Sequence, residues 1–222
     1  MSAHRWPVMA GWSGLLAVGL YVGATILGGL LDSGYSHLRD PISTLTQTGA
    51  PHRTLLAVLY VAYNVALGWF AVAMYRSTGS ARLLKVAAVL FAVGAVSGIG
   101  QVTFFVQDPE GSPVTADGAT HIALAGVSSL LTVACTVLYG IALRHDPVWR
   151  PISRASFIAT ALIVVTGPVT ALSVGSSLMG LFERVTIGCF IGWVLVVSVF
   201  ALRAGRQDAS LVTGAAAGTA RK

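Results

Sequence analysis

Six long stretches of the chain are almost entirely apolar, and each has about the length needed to cross a lipid bilayer. A helix of about 20 apolar residues covers the hydrocarbon core. Such a segment has no water to bind, so its backbone satisfies its own N–H and C=O groups as an α-helix. The predicted spans are residues 12–31, 55–75, 83–106, 120–143, 155–174 and 178–202. The pattern predicts an all-α polytopic membrane protein, a bundle of six transmembrane helices.

The composition agrees with this pattern. Of the 222 residues, 55% are hydrophobic and only 10% are charged, and the mean hydropathy is +0.78. Because a soluble domain carries roughly a quarter charged residues, the chain is not a soluble globular enzyme. We expect residues 1–203 to form the six-span domain. Residues 204–222, which are rich in Ala and Gly, are expected to be a disordered cytoplasmic tail.

The charges predict how the bundle is oriented. If the N-terminus is cytoplasmic, eleven of the fourteen Lys and Arg residues fall on the inner side, together with two of the eight Asp and Glu residues. This is the positive-inside distribution of a multi-pass protein with both termini inside, and we expect it in the plasma membrane. The same distribution explains the net charge of +6 without a nucleic-acid partner.

Two connections on the expected outer side are long, at residues 32–54 and 107–119. Long loops are where binding and catalytic residues concentrate. In the first loop, Asp40 followed by Pro41 is typical of a helix N-cap and first helical residue, so we expect a short helix that ends near Gly49.

Glu183 and Arg184 lie close to the start of the otherwise apolar sixth span. Charges in such segments normally face the bundle and pair, and Arg39, Arg53 and Asp40 are their expected partners. Two interpretations follow. The charges form an ion-pair clamp between the first loop and the sixth span. Alternatively, the three arginines hold a phosphate or an anionic lipid headgroup in a polar pocket, where Asp40 or Glu183 is available as acid or base.

The histidines offer a third kind of site. Asp117 precedes His121 by four residues, so the two share a face of any helix that includes them, and His37 and His52 are also expected on the outer side. Three imidazoles and a carboxylate are a ligand set for zinc. The chain has no HExxH and no CxxC spacing, and no histidine lies in the middle of a span, as haem would need. We therefore expect no metal and no cofactor.

Three segments of the chain resemble a known family. They are residues 35–45 (YSHLRDPISTL), 49–53 (GAPHR) and 180–184 (GLFER). Over residues 10–203 the chain resembles the prokaryotic six-span membrane proteins grouped as domain of unknown function 998. The resemblance implies a six-helix bundle and one outer-face unit, and it implies no activity. The residues of that unit would be Arg39, Asp40, Pro41, Ser43, Gly49, Pro51, Glu183 and Arg184.

The leading functional hypothesis is that the protein binds or senses a lipid or another amphiphile in an outer-leaflet polar pocket, or serves as a scaffold. The second is a membrane-embedded enzyme acting on a lipid or isoprenoid, with Asp40 and Glu183 as acid and base. The third is a small-molecule transporter. Expected partners are membrane lipids and either another membrane protein or a second copy of the chain. The expected ligand-binding residues are Arg39, Arg53, Arg184, Ser43, His37, His52, Asp117 and His121.

Overall fold

The computed structural model describes residues 5–219, with side chains described for residues 7–205. In that part the chain is all-helical and contains no strand, which confirms the predicted fold class. All six long helices are long and apolar enough to span a membrane. They are α1 (Arg5–Leu31), α2 (Arg53–Ser77), α3 (Arg82–Thr103), α4 (Ala116–Leu143), α5 (Arg150–Leu172) and α6 (Met179–Thr219), and a short 3₁₀ helix, η1 (Ile42–Thr46), lies between α1 and α2.

The end of the chain leaves one prediction open. Among the residues with described side chains, the candidate membrane span of α6 is Met179–Gly205, and the helix itself continues to Thr219. The side chains beyond residue 205 and the last three residues lie outside the described part of the chain. The disordered tail over 204–222 therefore stays a prediction, as does the cytoplasmic location of both termini.

The start of α4 was predicted from hydropathy at residue 120, and the helix begins at Ala116 instead. The hydroxyl of Thr115 accepts a hydrogen bond from the backbone N–H of Gly118 at 3.1 Å. The carboxylate of Asp108 in turn accepts from the backbone N–H of Thr115 at 2.7 Å. The helix therefore begins at a side-chain cap, which a hydropathy window does not detect.

The six helices close into a ring. Each helix packs on its neighbours in the chain, and α6 returns to pack on α1. The first long loop (32–52) and the second long loop (104–115) meet at one end, where the backbone N–H of Thr48 donates to the carbonyl of Gln107 at 3.0 Å. We call this the loop end. The opposite end, with the connections 78–81 and 144–149, is called the basic end.

Aromatic side chains fill the centre of the ring. The ring of Phe91 in α3 lies 5.4 Å from that of Phe70 in α2 and 5.9 Å from that of Trp193 in α6. Trp193 also packs edge-on against Tyr139 in α4, and its indole N–H donates to the hydroxyl of Ser156 in α5 at 2.9 Å. Five of the six helices thus meet around one buried tryptophan whose polar atom is satisfied.

Small residues let α1 approach its neighbours. Ala10, Ala17 and Ala24 are buried and recur every seven residues, with Gly14 and Gly28 on the same face. Small side chains allow backbones to come close, which drives packing where no hydrophobic effect operates between helices. This packing face of α1 can be read from the sequence as small residues that recur every seven positions.

The small-residue pairs that the sequence offers in α3 and α6 behave differently. A Cβ atom on Gly98 would lie 2.3 Å from the side-chain oxygen of Asn64, so this glycine is a close-approach position. Gly94, Gly188 and Gly192 have nothing within 4 Å of such a Cβ atom. These three glycines therefore face open space and do not mark close approaches between the six helices.

Replacing Gly11 by Ala should weaken the packing of α1 on α6, the contact that closes the ring of helices. The new Cβ atom would lie 2.4 Å from Cγ of Leu202 and 2.9 Å from the carbonyl oxygen of Ser198, both in α6. Overpacking of this kind costs about 1–3 kcal/mol of unfolding free energy, measured by equilibrium unfolding in micelles. Gly19→Ala is the matched control, since that Cβ atom meets nothing within 4 Å and alanine favours a helix. Equal stability of the two variants would contradict this account.

Candidate functional site: the loop end

The first long loop folds locally around η1. Pro41 stands at the N-cap position with φ −63°, and its carbonyl accepts from the hydroxyl of Thr44 at 2.7 Å. Ile42 and Leu45 are buried, and Leu45 lies against Gly28 of α1, where a Cβ atom would be 2.7 Å from its Cδ1. The expected short helix is present as a 3₁₀ turn that is anchored by apolar side chains.

The predicted N-cap is wrong by one residue. Asp40 does not cap η1, since Pro41 occupies that position and the Asp40 carboxylate turns back to accept from the backbone N–H of Ser36 at 2.7 Å. The start of η1 is capped from elsewhere. The carboxylate of Glu183 in α6 accepts the backbone N–H of Ile42 at 2.5 Å.

The loop caps α6 in return. The first N–H groups of a helix have no partner within it. At the start of α6, the N–H of Gly180 donates to the carbonyl of Arg39 at 3.1 Å, and the N–H of Leu181 donates to the carbonyl of Leu38 at 2.9 Å. Together with the bond from Ile42 to Glu183, these contacts satisfy the starts of two helices reciprocally. We call the residues 38–42 and 180–184 the mutual cap.

Arg184 fastens the mutual cap from inside. Its Nη1 donates to the carbonyls of Asp40 at 2.9 Å and Gly180 at 2.7 Å, and its Nη2 donates to the hydroxyl of Tyr35. The Tyr35 hydroxyl donates onward to the carbonyl of Pro41 at 3.2 Å. Burial raises the pKa of Tyr35, so this phenol stays neutral at physiological pH.

Arg39 and Asp40 form a separate surface pair. The guanidinium donates from Nε to Oδ1 at 2.6 Å and from Nη2 to Oδ2 at 2.9 Å. The hydrogen bonds from Arg39 hold the pKa of Asp40 below its usual value. We expected the side chains of Arg39 and Asp40 to pair with Glu183 and Arg184, and this was wrong. Arg184 uses the main-chain carbonyl of Asp40 instead.

The three histidines do not come together. His121 is buried, and its Nδ1 lies 2.9 Å from the carbonyl of Phe105 and 3.3 Å from that of Gln101, so it closes the end of α3. His37 packs edge-on against Tyr35, and His52 is exposed at the N-cap of α2. Among the described side chains, residues 7–205, no three of His, Cys, Asp or Glu group as metal ligands.

The remaining candidates are spread over the loop end. Asp117 is exposed in the first turn of α4, while His121 one turn later is buried against α3. Ser43 is half-buried in η1, where its carbonyl accepts from Thr46 at 3.3 Å. Burial and the Arg184 charge lower the pKa of His37.

Four buried side-chain atoms in the described part have no hydrogen-bond partner. They are Oη of Tyr21, Oε1 of Gln47, Nε of Arg53 and Nε of Arg184. Gln47 and Arg53 belong to the last part of the first long loop and the start of α2. Tyr21 lies deeper, within α1, where its ring packs on those of Tyr60 and Tyr63. Three of the four atoms, on Gln47, Arg53 and Arg184, therefore lie at the loop end.

Sequence reasoning missed Tyr21 and its neighbours in α2. The Tyr21 ring lies 5.7 Å from that of Tyr60 and 5.0 Å from that of Tyr63, and the hydroxyls of Tyr60 and Thr25 are 3.0 Å apart. Tyrosine in a membrane protein belongs at the headgroup level. Tyr21, Tyr60 and Tyr63 lie within predicted spans, and this position was the sequence signal that could have indicated a polar interior.

The fold and the loop end define a class, a polytopic helical membrane protein whose first long loop is capped on its last span. The sequence matches the model of the family described as protein of unknown function (DUF998) over residues 15–200. The chain belongs to this family. Neither a curated protein nor a solved structure is similar enough to match it.

Gly180→Ala should lift the first long loop from α6. The new Cβ atom would lie 2.4 Å from the carbonyl oxygen and 2.9 Å from the carbonyl carbon of Asp40, and a backbone cannot step aside as a side chain can. We expect backbone amides of residues 38–46 to exchange about tenfold faster, equivalent to about 1.4 kcal/mol.

Gly188→Ala lies on the same helix and is the control, because a Cβ atom there meets nothing within 4 Å. Exchange should be unchanged in this variant. Equal exchange in the two variants would show that the loop is not held by its contact with Gly180.

Proposed function

We propose that this protein binds a membrane amphiphile by its polar headgroup at the loop end. The observation that carries the proposal is the set of three unpartnered buried atoms at the loop end, on Gln47, Arg53 and Arg184. With the expected orientation, the ligand would come from the outer leaflet of the plasma membrane.

The physical argument for a ligand is the free energy that an unpaired buried polar atom costs the folded protein. Leaving a buried donor or acceptor unsatisfied costs about 1–3 kcal/mol, and folded proteins contain few of them. Here three of the four unpartnered buried side-chain atoms in the described part of the chain lie at the loop end. A ligand that satisfies several of them recovers that cost on binding.

The chemistry of the atoms suggests the class of headgroup. The Nε–H groups of Arg53 and Arg184 are charge-assisted donors, which suit phosphate or carboxylate oxygens. The side-chain oxygen of Gln47 is an acceptor and suits a hydroxyl or an amine. An anionic headgroup that also carries a hydroxyl or amine supplies both kinds of partner.

The carboxylates argue for binding over catalysis. Asp40 is held by Arg39 and by Ser36, and Glu183 accepts the N–H of Ile42. These hydrogen bonds give both carboxylates a role in holding the first long loop, with no catalytic role required to explain them. We therefore place the enzyme hypothesis second.

Arg53→Gln should lose a co-purified lipid without loss of stability. Its Nε has no protein partner, so the substitution removes a ligand contact and breaks no hydrogen bond of that atom. We expect a drop of at least about tenfold in bound lipid, measured by native mass spectrometry after gentle extraction, because charge-assisted hydrogen bonds contribute about 1.5–3 kcal/mol.

Arg39→Gln makes the same change of charge at the loop end and is the control. Arg39 already donates to Asp40 and to the carbonyl of Gly34, so its loss should leave the bound lipid in place. A wild-type protein without a specific lipid, or equal lipid in the wild type and in Arg53→Gln, would overturn the proposal.

A further inference from the structure

A second feature with ligand character lies at the basic end, away from the first long loop. An open groove of about 290 Å³ runs along the outside of α6. Its lining residues are Leu195, Val196, Val199, Phe200 and Arg203. Four of the five are apolar, and the fifth is a charged residue at the end of the series.

The groove has the dimensions of part of an acyl chain. From Leu195 to Arg203 the helix rises about 12 Å at 1.5 Å per residue. Leu195 and Val196 are 40% and 46% exposed. Phe200 is fixed on the inner side, since its ring packs 5.0 Å from that of Trp149 at the start of α5. The groove is thus an open apolar surface on one face of α6, bordered by a phenylalanine that packs on the start of α5.

The positive charge at the end of the groove is the guanidinium of Arg203. Arg203 is exposed and has no hydrogen bond or ion pair within the described residues. The basic end as a whole is strongly positive there. Its described cations are Arg76, Arg82, Lys85, Arg144, Arg150, Arg154 and Arg203, against the single acidic residue Asp146.

Asp146 does not neutralise this end. Its carboxylate accepts the backbone N–H groups of Val148 at 2.9 Å and Trp149 at 3.3 Å, which fixes it in the connection between α4 and α5. An anion that approaches Arg203 therefore finds a guanidinium that has no carboxylate partner among the described side chains, near the end of the apolar span.

We propose that the α6 groove is a binding site for an anionic phospholipid. One acyl chain lies along Leu195, Val196 and Val199, and the phosphate accepts from the Arg203 guanidinium. Apolar length and a terminal cation match the two parts of a phospholipid, and the excess of positive charge selects an anionic one over a zwitterionic one. This site is at the opposite end of the bundle from the loop end and is independent of the proposed function.

The test compares phosphatidylglycerol with phosphatidylcholine of the same acyl chains, added in mixed micelles to the full-length protein and counted by native mass spectrometry. Wild type should retain phosphatidylglycerol preferentially. Arg203→Gln should reduce that preference about fivefold, the effect expected for one basic residue near a membrane surface. Val199→Trp keeps the charge and fills the groove, so it should reduce the retention of both lipids.

Arg82→Gln is the matched control, since it removes one charge from the same end on α3, away from the groove. It should bind as the wild type does. Equal losses in Arg203→Gln and Arg82→Gln would show attraction to the whole basic surface and overturn the site, and so would full retention in Val199→Trp. Because Arg53 is untouched in these variants, lipid bound at the loop end is unaffected, which keeps the two proposals separate.

Discussion

A backbone N–H group without a partner is the constraint around which the loop end is organised. The start of η1 and the start of α6 each present such groups, which have no partner within their own helix. The carboxylate of Glu183 takes the N–H of Ile42, and carbonyls of the loop take the N–H groups of Gly180 and Leu181. The charged side chain of Glu183, within the apolar span of α6, thereby holds the first long loop in place.

The closed ring depends on this arrangement. Once the first long loop is fixed to α6, Leu45 lies on Gly28 of α1, and α1 packs along α6 through its small residues. Loop docking and helix packing therefore join the same two helices, at the loop end and along the spans. The aromatic cluster around Trp193 stabilises the remaining helices from the centre.

The sequence predicted the elements better than their contacts. Six spans, a short turn after Pro41 and the importance of Glu183 and Arg184 all follow from hydropathy and from the cost of burying charge. The partner of Glu183 could not be predicted, because it is a main-chain N–H 141 residues away and main-chain groups leave no trace in residue identity. For the same reason a role was predicted for the carboxylate of Asp40, whereas it is the main-chain carbonyl of Asp40 that accepts a hydrogen bond from Arg184. Tyr21 was overlooked although its depth in α1 was readable.

The most direct measurement is the hydrogen exchange of the Ile42 amide, read by NMR in micelles, in Glu183→Leu beside Glu183→Gln. Glutamine keeps an acceptor oxygen and should keep most of the protection, whereas leucine leaves the N–H unsatisfied at a cost of about 1–3 kcal/mol, so exchange should be about tenfold faster or more. Protection of Ile42 that is equal in both variants would contradict the account, because the loop would then be held without the carboxylate.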